Sequence, residues 1–140
     1  MISEEMKKTI FRRYRNHNIK FKTWEELKEK TNFDENKQLR CFYCNDLLEY
    51  SQKISERKVV SLDHKLPKYW GGKDTIENTC LCCKECNIIK GTMKENTYIK
   101  FRIILLQNDL LKKYMKEVYP GKKAAMLNRK NKNPMLWELV

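Results

Sequence analysis

Two cysteine clusters constrain this chain more than anything else in it. Cys41-Phe-Tyr-Cys44 is one Cys-x-x-Cys pair, and further along Cys80, Cys82, Cys83 and Cys86 fall within one short stretch. Two such pairs divided by a loop make the ligand pattern of a four-cysteine zinc site. Four thiolates complete the tetrahedron and leave no position for water, so the expected ion is structural. Both Cys80-x-x-Cys83 and Cys83-x-x-Cys86 have legal spacing, so spacing alone leaves the second pair open. The compartment also favours metal over disulfides. The start, MISEEMKK, has no apolar signal core, and the strongest apolar run, Ile103 to Leu106, is far short of a membrane span. The chain is therefore expected in the cytosol, where thiols stay reduced, with no membrane partner.

The segment between the clusters has its own order. Val59-Val60-Ser61-Leu62 is β-prone and delivers Asp63 and His64 at its end. Pro67 and Gly71-Gly72 punctuate the loop that follows. Asn78-Thr79-Cys80-Leu81-Cys82 reads as a return strand. A helix is expected from about Lys84 to Lys90, with Gly91 as the left-handed residue after it.

Asp-His, Gly-Gly, a central asparagine, a Cys-x-x-Cys and a helical asparagine, in that order, resemble the HNH endonuclease family in its ββα-metal, treble-clef-like form with a zinc knuckle. The resemblance covers about residues 39–91. It implies an α+β chain: a small ββα-metal core with a structural zinc, flanked by N-terminal helices and a long C-terminal helix. The family places its knuckle directly before the helical asparagine, here Asn87, so the implied zinc ligands are Cys41, Cys44, Cys83 and Cys86. Cys82 then takes a position that is usually apolar, and Cys80 is left without a role. By the same resemblance His64 is the general base, Asp63 and Asn87 hold a catalytic divalent ion, and Asn78 holds the loop so that His64 keeps its orientation. The third signature position is asparagine and not histidine. Oxygen donors at Asp63 and Asn87 suit magnesium or manganese over a softer metal. Lys65 and Lys90 are candidate phosphate contacts. The implied reaction is hydrolysis of a DNA phosphodiester to 5′-phosphate and 3′-hydroxyl ends. One unit cuts one strand, so a double-strand break needs a homodimer or two visits.

The flanks carry the charge. The formal net charge of +12 divides into +4 over residues 1–40, +1 over 41–91 and +7 over 92–140. A basic balance outside a nearly neutral core favours a polyanionic partner, most simply nucleic acid. Residues 3–16 read as a helix, with Ser3 as N-cap and Met6, Ile10 and Tyr14 as its buried stripe. No acid occurs between residues 7 and 22, which makes Arg12, Arg13 and Arg15 candidate phosphate contacts. His17, in this run, reads as a surface residue. A second helix begins at Thr23, whose spacing to Glu26 is that of a capping box. Asn32 to Lys37 reads as a polar loop, Leu47 and Leu48 as packing beneath the first knuckle, and Arg40 as a partial offset to the thiolate charge. Residues 51–58 read as an exposed connection. A long helix is expected from about Asn96 with Ile103, Ile104, Leu110, Leu111, Tyr114, Met115 and Val118 on its apolar stripe, stopped by Pro120-Gly121. The expected organisation is one domain over 1–140: a basic helical segment (1–38), the zinc-stabilised catalytic core (39–91), a covering helix (92–121) and a basic tail (122–140).

Each piece has a plainer explanation by itself. An Asp-His pair is common, an asparagine caps turns, and paired knuckles also occur in structural zinc ribbons. The rival is a non-catalytic zinc-binding module that binds nucleic acid. It needs the cysteines and the basic flanks but not Asp63, His64 and Asn87 together. All three are present, so the enzyme reading leads. Nothing in the sequence separates DNA from RNA as substrate or gives a recognition sequence.

Overall fold

A computed structural model describes residues 2–34, 36, 38–50 and 57–108. The helix α1 spans Glu4–Arg15, with the Ser3 hydroxyl accepting from the Met6 amide at 3.2 Å. Met6, Ile10 and Tyr14 are buried, as their four-residue spacing requires. The chain leaves α1 through Asn18, which stands at φ +58, in the left-handed region that asparagine tolerates. The Ile19 amide then closes back on the Tyr14 carbonyl. Next comes α2, Trp24–Lys30, with Thr23 as N-cap and Leu27 fully buried. The Glu26 carboxylate completes the cap by accepting from the Lys22 amide at 2.7 Å, one residue earlier than a capping box expects.

The sheet is two antiparallel strands, β1 (Val60–His64) and β2 (Thr79–Cys83). Val60 faces Cys83 at one end and His64 faces Thr79 at the other. Directly after β2 runs α3, Lys84–Lys90, capped by the Cys83 sulfur, and α4 follows over Glu95–Gln107. The architecture is α+β with a ββα core, and the core centres on Ile10, Tyr14, Leu27, Val60, Leu81 and Phe101.

Two expectations about packing need correction, at Leu47 and on α4. Asn32, at the start of the expected polar loop, lies half-buried in a turn. Its amide donates to the Arg40 and Leu81 carbonyls, both at 2.9 Å, and its oxygen accepts from the Leu81 amide at 2.9 Å. It thereby pins the first knuckle to β2. Of the leucine pair, Leu48 is buried but Leu47 is exposed. On α4 the stripe is carried by Tyr98 and Phe101, while Ile103 is exposed. Aromatic rings won these positions because Tyr98 stacks edge-on against Tyr43 of the first knuckle, with centroids 5.1 Å apart. Leu110 to Val118, the Pro120-Gly121 stop and the basic tail lie outside the described residues.

Candidate metal centre and active site

The four sulfurs of Cys41, Cys44, Cys83 and Cys86 all lie within 4.8 Å of one another. Two local turns build this cluster. The Tyr43 and Cys44 amides donate to the Cys41 sulfur at 3.4 Å, and the Cys86 amide donates to the Cys83 sulfur at 3.3 Å. Each Cys-x-x-Cys thus folds around its own leading sulfur. Across the pairs, Cys44 and Cys83 sulfurs are 3.8 Å apart. A tetrahedron with zinc–sulfur bonds of about 2.3 Å has edges of about 3.8 Å, so the donor set fits a structural zinc. The protons of the four thiols are strongly interdependent. Hydrogen bonding to Cys44, Cys83 and Cys86 drives Cys41 down, while bonding to the same cluster drives Cys86 up. Lys58 reaches the Cys44 sulfur at 3.7 Å and Arg102 the Cys86 sulfur at 3.6 Å. These are the cations that offset the cluster. Arg40, expected to do so, turns instead to the Asn45 carbonyl and the Asp34 carboxylate. Of the connection expected to be exposed, residues 51–56 lie outside the described residues, Arg57 is exposed, and Lys58 is half-buried with its ammonium on the cluster. Cys80 and Cys82 are buried beside the cluster and not in it.

The other end of the sheet carries different chemistry. Along β1 successive side chains alternate in face, so Asp63 turns inward and His64 stays half-buried at the strand end. Asp63 is 6% exposed. Its Oδ2 accepts from the Tyr43 hydroxyl at 2.5 Å and pairs with the Lys90 ammonium at 3.1 Å. Burial pushes the Asp63 carboxyl up, outweighing the pull of Lys90 and Tyr43. Among the described residues no group bonds its Oδ1. A buried carboxylate oxygen without a partner is a place for a cation.

Lys90 corrects an expectation. It is fully buried, and its ammonium also donates to the His64 carbonyl at 3.0 Å. A lysine held this way fixes the strand end and is closed off from a phosphate backbone at the surface. Asn87, on α3, donates to the Ser61 hydroxyl at 2.6 Å and the Leu62 carbonyl at 3.2 Å. The Leu62 carbonyl leads directly into Asp63, so the carboxamide is held against the same strand segment. Lys65 is half-buried, with its ammonium 4.7 Å from the centre of the Phe42 ring.

The loop between the strands is held from inside. Asn78 accepts from the Leu66 amide at 2.9 Å and donates to the Leu66 and Lys73 carbonyls at 3.1 and 2.9 Å. Gly72 is needed here, since a Cβ would stand 1.6 Å from the Leu66 carbonyl oxygen. This stapled loop presents Asp74, the residue after Lys73, to His64. The Asp74 Oδ1 lies 2.6 Å from His64 Nε2, and its Oδ2 pairs with Lys68 at 3.0 Å. Those two partners hold the Asp74 carboxyl down, at about 2. With Asp74 accepting from Nε2–H, the imidazole lone pair falls on Nδ1.

Sequence reasoning missed two members of this end. His17, expected on the surface, has Nδ1 3.3 Å from the same Asp74 oxygen, and its ring stands edge-on to His64 with centroids 4.8 Å apart. Burial, then the neighbouring His64, push the His17 imidazole down. Asp74 had no motif to mark it. The one usable signal was the acid-free run from residue 7 to residue 22, in which His17 stands. Arg12, Arg13 and Arg15 are exposed on α1, which packs against β1.

No curated protein and no solved structure matches this chain. Residues 52–92, the span that holds both strands, the stapled loop, α3 and two of the four clustered cysteines, match the family model of the HNH endonuclease.

Proposed function

We propose that this chain is a metal-dependent endonuclease that hydrolyses DNA phosphodiester bonds, with a structural zinc on Cys41, Cys44, Cys83 and Cys86. The observation that carries the reading is the arrangement at the end of β1. There His64 is oriented by Asp74, while the adjacent Asp63 keeps one buried carboxylate oxygen without a partner.

His64 is the general base. Asp74 accepts from its Nε2–H, so Nδ1 is free to take a proton from the attacking water. The orientation matters as much as the basicity, and it comes from Asn78 through the loop that carries Asp74. Asp63, through its unpartnered oxygen, and Asn87, through its carboxamide oxygen, would hold a magnesium or manganese ion. Such an ion supplies charge neutralisation at the phosphate and at the departing oxygen. Lys90 stays on the other Asp63 oxygen and keeps the carboxylate in place. The products are a 5′-phosphate and a 3′-hydroxyl. Arg12, Arg13 and Arg15 on α1, with Lys65, contact the backbone of the DNA. A homodimer, or two visits, would make a double-strand break.

The test is one gel. Purified protein is incubated with supercoiled plasmid and magnesium, manganese or EDTA. Nicked or linear product with a divalent ion, absent with EDTA, is the expected result. Binding without any cutting under either metal would leave the non-catalytic zinc module as the better account.

A further inference from the structure

We propose that His17, His64 and Asp74 form a second metal site, one that takes a transition ion such as Zn2+ and stops cleavage when it is filled. The binding claim stands on geometry alone, whereas the inhibition rests on His64 being the base.

His17, His64 and Asp74 each offer one ligand atom, and these all lie within 4.8 Å of one another; His17 Nδ1 and His64 Nε2 both face Asp74 Oδ1. Zinc bonds of about 2.0–2.1 Å put tetrahedral ligand atoms about 3.3–3.4 Å apart. His17 and Asp74 already stand at 3.3 Å. His64 and Asp74 stand at 2.6 Å and need to open by only about 0.7 Å to reach that spacing. Two imidazoles and one carboxylate select zinc or nickel over magnesium or calcium. Three protein ligands leave an open position for water, unlike the four-cysteine site. The cluster is also reachable, since the side chains of His17, His64 and Asp74 are 30%, 12% and 34% exposed.

All three ligands are held in place. His17 sits in the turn after α1, anchored by the buried Tyr14 and Ile19 on either side. His64 ends β1, where Lys90 holds its carbonyl. Asp74 lies on the loop stapled by Asn78, and Lys68 steadies its second oxygen. A site assembled this way loses little ordering entropy when an ion enters.

Filling the site disables the base by moving one proton. An ion on His64 takes the Nε2 lone pair, so the Nε2 proton must move to Nδ1. The ring then has no nitrogen that can accept a proton from water. Asp74 exchanges the Nε2–H it accepted for the ion. Before an ion enters, His17 Nδ1 points its proton at the Asp74 carboxylate; that proton likewise moves to Nε2 when Nδ1 ligates, so no net proton is released.

The experiment starts from protein already carrying zinc in its cysteine site. Calorimetric titration with ZnCl2 should reveal one further site per chain in the wild type. His17→Ala and Asp74→Asn should each weaken it by about tenfold or more, with the cysteine-bound zinc, measured by elemental analysis, retained as the check on folding. In plasmid cleavage with saturating magnesium, zinc at the measured Kd should halve the wild-type rate, and zinc well above it should abolish cutting. For His17→Ala the same additions should change its own zinc-free rate far less. No further site in the wild type, or equal binding in both variants, overturns the proposal. Binding at the site with cleavage undiminished overturns the inhibition and the general-base role of His64 with it. If the protein never cuts DNA, the function proposed above fails, while calorimetry still decides whether the site exists.

Discussion

The two clusters of metal-ligating side chains sit at opposite ends of the same two-stranded sheet and are built in opposite ways. Cys83 faces Val60 where β1 begins, and His64 faces Thr79 where β1 ends, a separation of about 13 Å along the strand. The cysteine end is closed: three of its four residues are buried and each pair is wrapped by its own amides. The histidine end is open, with ligand atoms drawn from the turn after α1, from β1 and from the loop between the strands. A closed end anchors a fold, because an ion bound there is bound with the folding free energy. An open end suits the chemistry proposed for it, because a reactant can enter and little of the fold depends on it. Substitutions at the two ends should therefore move different observables.

The largest effect is expected from Cys86→Ser. Structural zinc is worth about 10–16 kcal/mol in small domains, as much as the whole stability of an ordinary domain, about 5–15 kcal/mol. The variant should lose zinc by elemental analysis and show no cooperative unfolding. Cys80→Ser is the matched control, since Cys80 is equally buried but outside the cluster. It should keep its zinc and lose only the roughly 1–3 kcal/mol that burying a hydroxyl costs. A Cys80→Ser protein that lost its zinc would break the assignment of the closed end.

Asp63 lies between the two regimes. Asp63→Ala leaves the Lys90 ammonium buried without its partner, and should cost about 3–5 kcal/mol in urea unfolding. It should also abolish magnesium-dependent cutting. His64→Ala should behave as the open end requires: cleavage falls on the order of 10²-fold or more, while zinc content and the unfolding midpoint stay near wild type. Asp74→Asn, at an exposed position, should lower the cleavage rate by about tenfold, since the orienting carboxylate is lost but the base remains. Equal damage to stability from His64→Ala and Cys86→Ser would erase the distinction between the ends.

The same contrast governs what the sequence disclosed. The cysteine end was legible as two local Cys-x-x-Cys units, but choosing Cys83 and Cys86 over Cys80 and Cys83 took the family pattern, because both spacings are legal. The ββα order was legible too, since short strands, a Gly-Gly loop and a capped helix follow one another along the chain. His64, Asp63, Asn78 and Asn87 were singled out only through their order within a known family pattern. His17 and Asp74 were not found, because their meaning arises from tertiary approach. The fold brings position 17 and position 74 onto one side of position 64, and no periodicity records that. Lys90 was misjudged for a related reason. A lysine near the end of a helix reads as surface, and only the buried Asp63 opposite it makes an interior ammonium tolerable. Arg40 lost its expected role to Lys58 and Arg102, which approach the thiolates from beyond the knuckle.

The smallest expected effect belongs to neither end, and it sharpens the comparison by staying out of both. Arg12, Arg13 and Arg15 are exposed near the end of α1, which packs against β1. Cations in a last helical turn also complement the helix dipole, at about 0.3–1 kcal/mol each, so a purely structural role is the competing explanation. The two explanations separate in a salt series. An arginine that contacts a phosphate releases counterions, and each lost contact should flatten the log–log dependence of DNA affinity on salt by about one unit. An arginine that only caps the helix should leave that slope alone and lower the unfolding midpoint instead. Replacing all three with glutamine should therefore weaken binding most at low salt, with zinc content unchanged and the rate of bound complex cutting near wild type. If affinity and slope both stay at the wild-type value, the DNA is not held by α1. The loop from Lys65 to Lys73, which leads into Asp74 beside His64, would then be the surface to neutralise next.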